Sequence, residues 1–110
     1  MRIWDISPKY LCHKHLLAEH RELHAVWAIL TEGKKGYRQH PETKRWVGKL
    51  KALYLRHEKL VLEFKRRGWN HQTPLDKKLA IGRAKQDVLI DSLACQKQLL
   101  RQKNCPCLLE

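Results

Sequence analysis

Proline and glycine punctuate this chain so that it breaks into three long stretches of helical periodicity. Ser7-Pro8 reads as an N-cap followed by proline at the first helical position, where a missing N–H costs nothing, and Gly33 reads as the stop. Between them Leu16, Leu23, Val26, Trp27 and Leu30 recur at helical spacing with Cys12 on the same face, a stripe that must pack inward. Residues 34–40 form a basic, glycine-containing turn, and Pro41 opens a second helix that ends at Gly68. Lys65, Arg66 and Arg67 sit at its C-terminal end, where cations suit the helix dipole. Trp46, Leu50, Leu53, His57, Leu60, Val61 and Phe64 share one of its faces, and His57, in mid-stripe, reads as a hydrogen-bonded core histidine before a catalytic one. Thr73-Pro74 starts the third stretch, with Leu75, Leu79, Leu89, Ile90, Leu93 and Leu100 on one face and Gly82 as a break or kink. The expected architecture is all-α: a single compact domain over residues 1–110, with three helices and an extended N-terminal segment.

Charge narrows the partner. Lysine and arginine total 23 against 11 acidic residues, a net +12 that exceeds what solubility requires and points to a polyanion. A membrane is a poor candidate, because no charge-free run is longer than residues 24–31, against the roughly 20 apolar residues needed to span a bilayer. Residues 1–10 carry Asp5 and Pro8 and lack the apolar core of a secretory signal, so a cytoplasmic location is expected. Cys12, Cys95, Cys105 and Cys107 would then stay reduced. Cys105 and Cys107 are separated by one residue, whereas zinc pairs normally have two to four between them, so no metal ligand is assigned.

The chemistry-bearing residues crowd onto the first helix, where His13, Lys14, His15, Glu19, His20, Arg21, Glu22 and His24 fall close together. A solvated charged face is the simplest reading of such a cluster. It fails for Glu19, which projects into the apolar stripe, where an ionised carboxylate needs an arginine or lysine from another element. Glu22 and His15 lie side by side at the stripe's edge, where apolar surroundings perturb pKa values and favour acid–base work. The clustered carboxylates of a metal-dependent nuclease and the glycine fingerprints of nucleotide folds are missing from the sequence.

The run His15-Leu16-Leu17-Ala18-Glu19-His20-Arg21-Glu22-Leu23 resembles the helix-one signature of the pyrimidine-dimer DNA glycosylases typified by phage endonuclease V, in which it reads His-Leu-x-Ala-Glu-x-Arg-Glu-Leu. A weaker similarity runs from Lys49, Leu50, Leu53, Arg56 and Leu60 to Lys65-Arg66-Arg67-Gly68-Trp69-Asn70. The resemblance implies that Glu22 is the catalytic carboxylate and that the nucleophile is the N-terminal α-amine. The family exposes a threonine by removing its initiator methionine; here Met1 falls in that register and Arg2 in that of the following arginine. A bulky Arg2 would block methionine removal, leaving the amine of Met1 in place. That amine has an ordinary pKa of about 7.7 to 8.0, and Arg2 and Arg21 would push it lower.

By the same resemblance Arg2, His15 and Arg21 match DNA-contacting positions, with Lys14 replacing a glutamine, and Lys34, Lys35, Arg38, Lys44 and Arg45 would hold phosphates further out. The implied partner is double-stranded damaged DNA, met by a monomer needing no metal and no small-molecule cofactor. The last third departs from the family, with Cys105-Pro106-Cys107 in place of an aromatic-rich tail, which leaves the lesion open. Two other readings remain: a basic helical protein that binds nucleic acid without chemistry, and a thiol or zinc protein using Cys95, Cys105 and Cys107, with or without a histidine.

Overall fold

Among the described residues of the computed structural model four α-helices form: α1 (His13–Glu32), α2 (Pro41–Lys44), α3 (Leu50–Arg66) and α4 (Leu93–Arg101). Residues 2–70 and 73–103 are described, and no β-strand occurs among them, so the all-α expectation holds. The apolar stripes dictate the main packing, α1 against α3. Leu16, Leu23 and Val26 from α1 and Leu53, Leu60 and Phe64 from α3 are all fully buried in one cluster. At about 1.5–3 kcal/mol for each fully buried aliphatic or aromatic side chain, this pairing dominates the stability of the fold.

The N-terminal segment completes that core. Ile3, Trp4, Ile6 and Leu11 are as buried as the helix residues, so the chain enters the molecule as an extended strap threaded through its interior. This strap corrects the expected start of the first helix. Pro8 opens only a short 3-10 turn (Pro8–Tyr10), Leu11 and Cys12 return to extended backbone, and α1 begins at His13. The break has a partner: Arg67 donates to the carbonyl oxygens of Leu11 and Pro8, at 2.6 and 3.3 Å, capturing groups that a continuous helix would have used internally. At the other end Gly33 takes the expected left-handed conformation, φ 69°.

The second expected helix is likewise split. Gly48, at φ 75°, separates α2 from α3, and residues 81–83 lie across the gap. Lys51 and Ala52 donate their otherwise orphaned N–H groups to the carbonyls of Ile81 and Arg83, at 2.8 and 3.0 Å, capping α3 from outside. Gly82 is therefore no helix kink. A Cβ there would sit 2.3 Å from the carbonyl oxygen of Gly48, so only glycine permits the approach. The third expected helix shrinks to a 3-10 turn (Lys77–Leu79) and the short α4, joined by a segment that wraps the α2–α3 junction. Of its expected stripe, Leu75 and Leu100 are buried, while Leu79, Leu89, Ile90 and Leu93 are exposed.

Candidate functional site

Two arginines fix the N-terminal strap. Arg45 donates to the carbonyl of Ile3 at 2.8 Å and to Asp5 at 3.0 Å while its Nε binds Glu42 at 2.9 Å, all nearly sealed from solvent. Burial disfavours its charge, but Glu42 and Asp5 outweigh that and hold its pKa above the ordinary arginine value. Arg45 is thus a clamp and not one of the outer phosphate contacts expected of it; Lys34, Lys35, Arg38 and Lys44 are exposed and free of that burial. Arg56 grips the strap from the other side, donating to the carbonyl of Ile6 at 2.8 Å. Gln96 completes the arrangement by exchanging hydrogen bonds with the backbone N–H and carboxylate of Asp5, at 2.8 and 2.9 Å.

Glu19 ties the strap to α1. Its two carboxylate oxygens take the Nε and Nη2 of Arg56 at 2.6 and 2.8 Å, and one of them also accepts the N–H of Trp4 at 3.2 Å. The cation that the buried Glu19 required is therefore Arg56, supplied by α3. Burial pushes the Glu19 carboxyl up from its ordinary value, opposed by Arg56 and the Trp4 amide.

His15, Glu19 and Glu22 occupy successive turns of one face of α1, about 4.5–6 Å apart along the axis. Trp4 stands beside this face: its amide is on Glu19 and its ring meets His15 edge-on, with centroids 6.3 Å apart. Glu22 is half-buried and makes no hydrogen bond or ion pair with any described residue. Arg2 stacks over Trp4 at 5.1 Å and pairs with Asp91 at 2.8 Å, so the charge expected to meet DNA is partly neutralised within the protein. Lys14 and Arg21, seven residues apart, share an exposed face of the helix. Burial, then Lys103 and Lys14, lower the pKa of His15 from its ordinary value. Lys103, absent from the sequence-based set, joins this basic surface through the packing of the chain after α4. Met1 lies outside the described residues, as do Cys105 and Cys107; Cys95 is exposed, and Cys12 is buried with its Sγ 3.1 Å from Nδ1 of His15.

A second cluster lies on another face of α1. The Nε2 of His57, from α3, is 3.1 Å from that of His20, 3.2 Å from that of His24 and 3.1 Å from the carbonyl oxygen of Thr73. Its Nδ1 faces the carboxylate of Glu58 at 3.1 Å. Burial, then His57, lower the pKa of His24. These three residues could hold a metal ion; His57 is the buried, hydrogen-bonded histidine expected, but the sequence alone assigns the three no metal role. The signal available was the i, i+4 spacing of His20 and His24; the third ligand is revealed only by the helix pairing.

Residues 1–77, including the strap, α1, α2 and α3, match the family of pyrimidine dimer DNA glycosylases. The chain belongs to that family. No curated protein and no solved structure shows a significant match. Membership of a DNA glycosylase family gives the net charge of +12 its counterpart, DNA. No helix of the described residues is long and apolar enough to cross a membrane.

Proposed function

We propose that this glycosylase excises damaged bases such as cyclobutane pyrimidine dimers and then cleaves the abasic strand, using the α-amine of Met1 as nucleophile and Glu22 as the catalytic carboxylate. The observation that carries the proposal is the anchoring of the Trp4 amide on Glu19, one helical turn before Glu22. The α-amine is three residues upstream of that anchor, within about 11 Å of it at full extension. Glu22, whose carboxylate pairs with no described residue, follows Glu19 by one helical turn, about 4.5 Å along the axis.

The α-amine attacks C1′ of the damaged nucleotide as the glycosidic bond breaks, and the departing base takes the bonding pair and a proton. Opening of the sugar ring gives an iminium, with nitrogen doubly bonded to C1′. Loss of a C2′ proton then expels the 3′ phosphate, and water releases the amine. Glu22 stabilises the cationic transition state and moves the proton. Arg2, Lys14, His15 and Arg21 hold the strand across the same face, His15 through its ring nitrogens and the others as cations.

Borohydride trapping on abasic-site duplex tests the reading. The expected result is a covalent protein–DNA adduct mapped to the Met1 nitrogen. No adduct, with duplex binding intact, would leave a basic DNA-binding protein without chemistry.

A further inference from the structure

We propose that His20, His24 and His57 form a binding site for one divalent transition-metal ion of the zinc type, which fastens α1 to α3 and to the chain at Thr73. The ligand atoms of the three histidines lie within 4.8 Å of one another, and two of the Nε2 pairs are at 3.1 and 3.2 Å. Zinc–nitrogen bonds of about 2.0–2.1 Å in a tetrahedron place neighbouring ligand nitrogens about 3.3–3.4 Å apart. The observed spacings are close to that edge length.

Hydrogen bonding alone does not account for the arrangement. The Nε2 of His57 has one site, either a proton or a lone pair, yet it faces two imidazole nitrogens and the Thr73 carbonyl at 3.1–3.2 Å. If Nδ1 of His57 donates to Glu58, its Nε2 can accept one N–H, from His20 or His24, but still faces the Thr73 oxygen, another acceptor, at 3.1 Å. If Nε2 carries the proton instead, it satisfies one neighbour and leaves the other contacts short without a hydrogen. A cation at the centre resolves this: three neutral imidazoles ligate through Nε2, and Thr73 supplies the fourth position through its carbonyl or a bound water. Glu58 then accepts the Nδ1–H of His57, the usual carboxylate support of a ligating histidine.

The site is structural. Glu22 lies two residues from both His20 and His24, about 200° around the helix from each, so the ion sits on the far side of α1 from the proposed catalytic carboxylate. It therefore leaves the metal-free amine chemistry untouched and instead fixes the helix that presents Glu22. Nitrogen ligands, near-complete burial of His57 and the lack of clustered carboxylates among the described residues there select a zinc-like ion over magnesium or calcium.

The test uses the full chain, purified without a metal-affinity tag, stripped by chelator and titrated with Zn²⁺ and with Co²⁺. The expected result is one ion per chain with a Kd below about 1 µM, the visible bands of four-coordinate Co²⁺, and a higher melting temperature in Zn²⁺. His24→Ala, at a half-buried position that tolerates truncation, and His57→Gln should each weaken binding at least about 100-fold, beyond the 10–100-fold typical of outer-shell partners. Cys95→Ser should leave binding unchanged. The proposal is overturned if the stripped chain takes up neither ion, or if it binds Zn²⁺ equally well in His24→Ala while losing it in Cys95→Ser.

Discussion

Arg56 meets both carboxylate oxygens of Glu19 inside the protein, and the same guanidinium holds the Ile6 carbonyl while the same carboxylate holds the Trp4 amide. One ion pair thus joins α1, α3 and the N-terminal strap. Replacing Arg56 by Met leaves Glu19 buried and unpaired, a class of change that costs about 3–5 kcal/mol. Urea unfolding should show that loss. The double variant Glu19→Leu with Arg56→Leu should recover most of it, because an apolar pair has no buried charge to desolvate. Neither variant should regain activity, since both release the strap. A stable, fully active Arg56→Met enzyme would show that the strap needs no clamp.

Glu63 provides a pH handle on the same architecture. It pairs with Arg66 and Arg67, and Arg67 in turn holds the carbonyls that end the Pro8 turn. These cations, Arg66 foremost, lower the Glu63 pKa from its ordinary value. A carboxyl whose pKa is depressed by folding binds its proton more readily in the unfolded chain. Its contribution is therefore complete above the unfolded value of about 4.3 and is lost as pH falls through the folded value. Glu63→Gln should be less stable than wild type at pH 7, and the gap should close towards pH 3. Parallel stability curves for the two proteins over that range would contradict the assignment.

How far the sequence disclosed this architecture depended on whether the deciding partner was local. Leu16, Leu23 and Val26 announced their burial because 3.6-residue periodicity is written in the chain itself. Glu19 announced that it needed a cation, but only the packing of α3 on α1 could name Arg56. Gly82 looked like a helix break, whereas its cause is the close approach of Gly48, thirty-four residues earlier in the sequence. Arg45 looked like one surface cation among many for the same reason: Ile3, Asp5 and Glu42 converge on it only once the strap is threaded. The Glu22 motif was legible as sequence, and it lies within the residues that the family match covers. The three-histidine cluster was half-legible, as two histidines one turn apart awaiting a third from elsewhere.

Arg21 should report DNA contact through salt. Affinity for undamaged duplex should fall with ionic strength at a log–log slope of about −0.9 per neutralised phosphate. Arg21→Ala removes an exposed cation that carries no described structural bond, so the slope should shrink by roughly one unit with the fold intact. An unchanged slope would move the DNA track off this face of α1.

Glu22→Gln separates chemistry from binding. The side chain is half-buried and makes no described ion pair, so the amide should be accommodated with little loss of stability. Duplex affinity should be kept or slightly raised by the loss of a negative charge. Base excision should drop by about 10²–10⁴-fold, the range for a positioned acid or base. A folded variant within tenfold of wild type would remove Glu22 from the mechanism.

The N-terminus gives the sharpest test, because the strap fixes where the chain's first atoms can reach. With Trp4 held on Glu19, each residue added before Met1 displaces the α-amine by up to about 3.8 Å, while reacting atoms must approach within roughly 3–3.5 Å. A two-residue extension should therefore abolish base excision and borohydride trapping. Duplex affinity should persist, since Lys14, Arg21 and the other cations are unaffected. Methylation confined to the α-amine should slow the reaction in the same way and leave the lysine charge in place. Intact mass of the mature protein must first show Met1 retained and unblocked. If an extended protein formed the trapped adduct at the normal rate, with mass spectrometry mapping the link to a lysine, the nucleophile would be that lysine and not Met1.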